Sequence, residues 1–505
     1  MSDIPRYPLI INGERCEPLS GEYADVINPA DGQVVGHAAM GNAADVDAAV
    51  AAARAAFNDR AWRNMAPAER STIMYRCAQQ VMANAQELIE LEVSCSGATV
   101  TRASNLDIPA VADLWMNLAE AIKVYPFVEA QSPRPLPEQW HSQVWKEPVG
   151  VCGLITAWNF PLLLFSWKVG PALAAGNTIV IKPAETTPTS SMRLVEILQE
   201  VLPPGVLNIV NGDGPVVGEA ISLHPDIDKV SFTGSTRIGR VVQTNCASTM
   251  KRCTLELGGK GPGIVMADAD LDMVAQGALW AVYMNAGQAC ESGTRLLVHE
   301  DVYDELLEKL AARSASVVVG NPADPATGVG PMSTEAHFHK VMGYIESGIA
   351  EGARLVCGGK PAEVAGCEGG FYIEPTVLAD VSNDMKVARE EIFGPVLCVI
   401  KYASTEEAIA LANDTEYGLS AGVWTSDLVQ AQQIARELRA GSVWVNDWHM
   451  MRTDAPFGGY KQSGYGRELG RYSIDSYVET KSVSMSFERM PERKGMQRIV
   501  HTQMA

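Results

Sequence analysis

Apolar positions along the chain keep two alternating rhythms. From Asp45 to Phe57 and from Arg70 to Ser94 they recur every three or four residues among many alanines, the spacing that gives a helix one apolar face. After Gly150 the rhythm shortens to compact β-branched runs at Gly150 to Thr156, Thr178 to Ile181 and Val206 to Val210, with a helical stretch at Ser190 to Val201. Strands alternating with helices predict parallel strands joined by crossovers. The alternation resumes beyond Glu256, with helices near Leu271 to Met284 and Val302 to Ala315, and strands at Arg295 to His299, Val396 to Ile400 and Gly441 to Val445. Two α/β domains are expected, with Asn321 to Gly330 and Cys357 to Gly370 as surface loops.

Two segments break the pattern. Between Glu147 and Lys168 lie twenty uncharged residues, enough in length to cross a bilayer. Pro148, Gly150, Gly153, Asn159 and Pro161 would leave backbone groups unpaired in lipid, so the segment reads as a buried strand, a loop and a helix start. The four prolines from Pro126 to Pro137 lead into an alternating run, His141 to Trp145, and Tyr477 to Val483 alternates similarly. Such strands pair with each other or with a second subunit, so a homodimer or homotetramer is expected.

Length and charge narrow the class. A chain of 505 residues exceeds one ordinary core, and 47% hydrophobic with 20% charged residues describes a globular protein. A net charge of -20 repels nucleic acid and anionic membrane, leaving a small molecule as the expected partner. The ten cysteines stand singly, with no C-x-x-C pair and no zinc-ligand spacing, which predicts a reduced compartment and no metal. Met1 to Pro5 shows no basic-then-apolar pattern of a secretion signal, so a cytoplasmic protein is expected.

Chemistry concentrates in a few places. Asn285 to Cys290 is a small-residue loop ending in a thiol, and Glu256 lies thirty-four positions upstream between apolar residues and the Gly258-Gly259 pair. A thiol and a semi-buried carboxylate are the parts of covalent catalysis followed by hydrolysis, although a glutamate paired with Lys260 is the plainer reading of Glu256 alone. Cys290 needs an electropositive or amide-lined setting to react, and Glu291 beside it raises the thiol pKa if it points inward. Asn159, a polar amide in an apolar run, is either a structural amide or an oxyanion donor. Phe232 to Gly239 places Gly234 and Ser235 between a strand and a helix, where a pyrophosphate can sit on the helix N-terminus. A second glycine turn, Gly212 to Gly218, misses the dinucleotide spacing by one residue. Lys182 and Glu185 follow a strand end, where a carboxylate accepts ribose hydroxyls and repels a 2′-phosphate.

Taken together, Trp158-Asn159-Phe160-Pro161, Lys182-Pro183-Ala184-Glu185, Phe232 to Thr236, Glu256 to Lys260, Gly287 to Cys290, Glu391 to Pro395 and Pro456 to Gly464 resemble motifs of the aldehyde dehydrogenase superfamily, in order across nearly the whole chain. The resemblance implies two Rossmann-like parallel-sheet domains and a small β oligomerisation flap. It divides the chain into a dinucleotide-binding domain at 1–128 and 148–256, a catalytic domain at 257–458, oligomerisation strands at 129–147 and 474–490, a return segment at 459–473 and a tail at 491–505. It also implies a hydrolytic, NAD-dependent oxidation, with NADP possible.

By the same resemblance Cys290 is the nucleophile, Glu256 the water-activating base, Asn159 the oxyanion donor, and Lys168 and Glu468 a proton relay. The cofactor would be held by Ile155, Thr156, Ala157, Trp158, Lys182, Glu185, Gly214, Phe232, Gly234, Ser235, Ile238, Leu257, Glu391 and Phe393. Phe160, Leu163, Leu164, Trp167, Ala289, Glu291, His449, Met451 and Phe457 would line the substrate tunnel, which suits a medium-sized hydrophobic or aromatic aldehyde. Ala289 and Glu291 depart from the cysteine, small or aliphatic neighbours of many relatives. A coenzyme-A-acylating relative is the runner-up, disfavoured because Glu256 would waste its thioester; a non-catalytic protein of the same fold would be expected to have lost Cys290 or Glu256.

Overall fold

The computed structural model describes residues 4–132, 140–490 and 494. Its centre is an eight-stranded sheet in the order Gly464–Tyr465, Arg252–Glu256, Lys229–Thr233, Val151–Ile155, Thr178–Lys182, Leu207–Ile209, Leu9–Ile11, Glu14–Cys16. The five strands from Arg252–Glu256 to Leu207–Ile209 are parallel, and those at Val151–Ile155, Thr178–Lys182 and Lys229–Thr233 are buried at every residue. Unbroken burial explains their continuous apolar runs, because helices cover both faces of the sheet. Chain order runs outward from Val151–Ile155 in one direction and then returns to its other side, so the topology reverses between Val151–Ile155 and Lys229–Thr233. Open parallel sheets bind ligands beyond the carboxyl ends of their strands at such a reversal.

A second sheet of seven strands runs Arg354–Cys357, Thr376–Ala379, Val396–Tyr402, Arg295–His299, Pro262–Val265, Ser420–Trp424, Ser442–Val445, all parallel except the first. Each large sheet has its own apolar core, and Met451 packs against both. Residues 141–145 pair with 481–485 inside one chain, within an antiparallel sheet of Val478–Ser486, Trp140–Pro148 and Val128–Ala130.

Several expectations needed adjustment. The periodic run from Arg70 to Ser94 is two helices, Pro67–Ala83 and Ala85–Ser96, because Asn84 leaves helical geometry at φ -109° and ψ 19°. The Cys357 to Gly370 loop begins one residue late, since Cys357 closes the strand Arg354–Cys357. The uncharged segment before Lys168 is the strand Val151–Ile155, a loop and the wholly buried helix Pro161–Ala175. No helix among the described residues is long and apolar enough to cross a membrane. Residues 1–3, most of the tail expected at 491–505, and Pro133, Pro135 and Pro137 of the proline-bearing run lie outside the described residues.

Candidate active site

The carboxyl edge of the first sheet gathers the chemistry. Glu256 is the last residue of its strand, Lys182 the last of another, Gly234 and Ser235 follow Thr233, and Thr156 to Asn159 follow Ile155. Ser235 caps the helix Thr236–Ala247 by accepting a hydrogen bond from the Ile238 N–H at 3.4 Å, and no acidic residue sits in that helix's first turn. The free end of its dipole is therefore open to an anion. Lys182 donates to Glu185 at 2.8 Å, and a Cβ on Gly218 would lie 3.8 Å from the Lys182 chain, which brings the Gly214 turn beside that pair.

Glycine packing brings the thiol to the carboxylate. A Cβ on Gly259 would lie 2.2 Å from the Cys290 carbonyl oxygen, and one on Gly287 would lie 2.0 Å from the Gly394 carbonyl oxygen. Only glycine permits these approaches. The loop enters Cys290 through left-handed residues, Asn285 at φ 54°, Ala286 at φ 53° and Gly287 at φ 76°. Its carbonyl at Gln288 accepts from Asn159 Nδ2 at 2.9 Å and Asn285 Nδ2 at 3.1 Å, while the Gln288 side chain is tied to Asn285, Pro331 and Ser333. Cys290 Sγ ends 3.7 Å from Glu256 Oε2.

The surroundings of the sulfur are anionic, not electropositive. Glu291 points inward, and its Oε2 lies 3.3 Å from Cys290 Sγ. Burial, with Glu256 and then Glu291 beside it, pushes the Cys290 thiol well above its ordinary range, so the sulfur rests protonated. Burial also lifts Glu256 well above the usual carboxylate range against the pull of Lys168. Lys168 donates to Glu468 at 2.7 Å and to Ser231 at 2.9 Å, all three buried. Glu291 differs: burial would raise it, but hydrogen bonding and charge from His449, whose Nδ1 lies 3.0 Å from Oε1, hold it below its ordinary value.

A thiol and a carboxylate thus face each other in a cavity that also reaches a helix N-terminus. Residues 17–483 match the sequence model of the aldehyde dehydrogenase family. The chain belongs to the aldehyde dehydrogenase family. It is 43% identical to the mitochondrial aldehyde dehydrogenase of Rattus norvegicus over 94% of this chain and 91% of the relative. Among solved structures, an indole-3-acetaldehyde dehydrogenase complexed with NAD+ superposes with a TM-score of 0.92 at 43% identity, covering 95% of this chain and 96% of that one. The NAD+ complex of a Bacillus cereus aldehyde dehydrogenase gives a TM-score of 0.92 at 41% identity, covering 96% and 97%.

In this family member Cys290, Glu256 and Asn159 share a cavity of about 260 Å³. Phe160, Leu163, Leu164, Trp167, Glu291, His449 and Met451 line it, together with Ala157, Trp158, Gly234, Ser235, Leu257, Glu391 and Phe393. Ala289 and Phe457 do not: both are packed in the first core, and Phe457 reaches the cavity only through the Trp167 ring, edge to face at 5.2 Å. Ile155, Thr156, Lys182, Glu185, Gly214, Phe232 and Ile238 also lie outside this lining, along the sheet edge and its turns.

Sequence reasoning missed Leu106 and Ala110, which a π-helical turn at Ala103–Asp107 and the helix Ile108–Val124 deliver to the cavity, as well as Met284, Lys340, Arg452, Thr453 and Leu469. It also missed His337. Burial lowers this imidazole to about 4, so it is neutral at pH 7, and its Nε2 lies 2.6 Å from the Phe393 carbonyl oxygen. The ring also packs edge to face on Trp158 at 5.1 Å and Phe393 at 5.9 Å, fixing the left-handed Phe393 backbone at φ 63°.

Proposed function

We propose that the chain oxidises an aldehyde to the carboxylic acid through a thioester on Cys290, hydrolysed by water that Glu256 activates. The observation that carries this reading is the 3.7 Å approach of Cys290 Sγ to Glu256 at the floor of one mainly apolar cavity. Sγ attacks the carbonyl carbon as the ionised form of Glu256 takes the thiol proton; its raised pKa makes that form a better acceptor than an exposed carboxylate. The carbonyl electron pair moves to oxygen, which the Asn159 side-chain amide and the Cys290 backbone N–H stabilise. Lys168 and Glu468 carry the proton from Glu256 toward solvent and free it to activate water against the thioester. Asn159→Ala is expected to lower kcat about 10²- to 10³-fold in steady-state kinetics, with a far smaller change in KM.

NAD fits the residues at the sheet edge, and when bound it supplies the hydride acceptor that the chain lacks. Thr233 Oγ1 is buried there without a partner among the described residues, which leaves a donor for a ligand beside Gly234 and Ser235. Gly234, Ser235, Gly214 and Ile238 would hold the pyrophosphate, Lys182 and Glu185 the adenosine ribose, and Glu391 with Phe393 the nicotinamide ribose. Ile155, Thr156, Ala157, Trp158, Phe232 and Leu257 would form the apolar walls. The Glu391 carboxylate is fixed by the Gly259 N–H at 2.8 Å. Glu185 favours NAD over NADP through charge repulsion; Glu185→Lys is expected to raise the NADP to NAD ratio of kcat/KM at least about tenfold. An unchanged ratio would remove Glu185 from that role.

The lining by Phe160, Leu163, Leu164, Trp167 and Met451 supports a medium-sized hydrophobic or aromatic substrate. The scattered cysteines support a cytoplasmic location, and a homo-oligomer is expected from the family resemblance of the flap strands. An NADH-coupled screen of aliphatic, terpenoid, benzylic and semialdehyde substrates tests the reading. Formation of NADH and acid from at least one class supports it, and none from any class overturns it.

A further inference from the structure

Glu291 is a residue the proposed cycle does not use, yet it is among the most constrained in the cavity. Its side chain and that of His449 are each 2% exposed, and Oε1 is occupied by His449 Nδ1 at 3.0 Å. Its backbone carbonyl accepts from Trp448 Nε1 and Ser420 Oγ, both at 2.8 Å, which fixes the main chain from which the side chain projects. His449 is itself held in a left-handed backbone at φ 54°, with its ring between Trp280 at 5.2 Å and Trp444 at 6.3 Å. A non-glycine residue kept in that region is strained, and such strain clusters at functional sites.

The second carboxylate oxygen is the informative one. Among the described residues the only side chain that donates to Glu291 Oε2 is the Cys290 thiol, at 3.3 Å. When Sγ bonds to the substrate carbon the S–H bond breaks, its proton leaves with Glu256, and Oε2 loses that donor. A buried anionic oxygen without a partner is costly, and Phe160, Leu163 and Leu164 of the same lining have no side-chain donor to offer. A substrate that brings its own donor restores the bond; an alkyl aldehyde does not. Sites built around such a contact discriminate strongly against analogues that lack the donor.

We propose that Glu291, set by His449, selects aldehydes that carry a hydrogen-bond donor, a hydroxyl or an ammonium, on the carbon next to the carbonyl or one further along an otherwise apolar body. This rests on the oxidation proposed above and names its substrate class.

The test compares the full-length enzyme with NAD on 2-hydroxy-3-phenylpropanal, 2-amino-3-phenylpropanal and 3-phenylpropanal. At least one of the first two is expected to exceed the third in kcat/KM by about tenfold or more, and the higher of them identifies the donor. Glu291→Leu keeps the volume without the acceptor and is expected to abolish or reverse that preference; Glu291→Gln, which keeps an acceptor oxygen, retains part of it and controls for folding. Equal kcat/KM for the three in the wild-type enzyme, or a preference that survives Glu291→Leu, overturns the proposal. Calorimetric binding of 3-phenylpropane-1,2-diol against 3-phenylpropan-1-ol to the Cys290→Ala variant, in which Oε2 lacks the thiol donor, reads the same contact without turnover. If no aldehyde yields NADH, the oxidation reading falls, and tighter diol binding still supports the Glu291 contact while equal binding overturns it.

Discussion

Cys290→Ala is expected to lower kcat for NADH formation from any accepted aldehyde by roughly 10⁴- to 10⁶-fold, the scale seen when a covalent nucleophile is removed. The substitution leaves the cavity intact: the Asn285 to Cys290 loop is held through Asn159, Gln288, Pro331 and Ser333, and none of those bonds uses the sulfur. Binding of NAD by calorimetry should therefore stay within about threefold of the unaltered protein. It should also remove a thiol whose alkylation by iodoacetamide is slow at neutral pH, because burial and the Glu256 and Glu291 carboxylates keep the sulfur protonated. Turnover retained within tenfold would end the covalent reading; lost NAD affinity together with lost turnover would point to a collapsed loop.

Glu256→Gln is the second large effect, and it moves two quantities in opposite directions. Loss of a general base that accepts the thiol proton and activates water lowers kcat by about 10²- to 10⁴-fold. Stability rises. Burial holds Glu256 protonated in the folded chain well above the pH at which the unfolded chain ionises it, so the folded state binds more protons across that interval. Wild-type stability accordingly falls as pH climbs past the ordinary carboxylate value of about 4.3, whereas the glutamine variant is spared this loss. Thermal melts should give the variant the higher Tm at pH 7 and matched values below about pH 4. A lower Tm for the variant at pH 7 would mean that Glu256 is ionised in the fold, paired with Lys168.

Much of this was legible in the sequence, for identifiable reasons. Strand and helix alternation, the buried strand before Asn159 and the thiol after a small-residue loop are local patterns, and local patterns survive in one dimension. The Gly258-Gly259 pair after Glu256 was visible as a composition, but the close approaches it permits, of Gly258 to the Glu391 carboxylate and of Gly259 to the Cys290 carbonyl, need the two sheets side by side. The inward turn of Glu291 was open in sequence because it depends on Trp448, Ser420 and His449, more than a hundred residues away. His337 and Lys340 had no signal at all: they lie on an ordinary helix, Glu335–Ala350, that happens to face the cavity. Ala289 and Phe457 were misplaced because proximity along the chain to Cys290 and to a glycine motif does not say which side faces inward.

The short strand Gly464–Tyr465 pairs antiparallel with Arg252–Glu256, and Glu468, four residues past its start, is the partner of Lys168. During synthesis more than two hundred residues must therefore follow Glu256 out of the ribosome before its strand is capped and its neighbouring lysine is neutralised. Until then the nascent chain carries a bare sheet border, a surface prone to pairing with other chains. A polypeptide stopped short of Gly464 should be inert and prone to clump, even though Cys290, Glu256 and Asn159 have all been made.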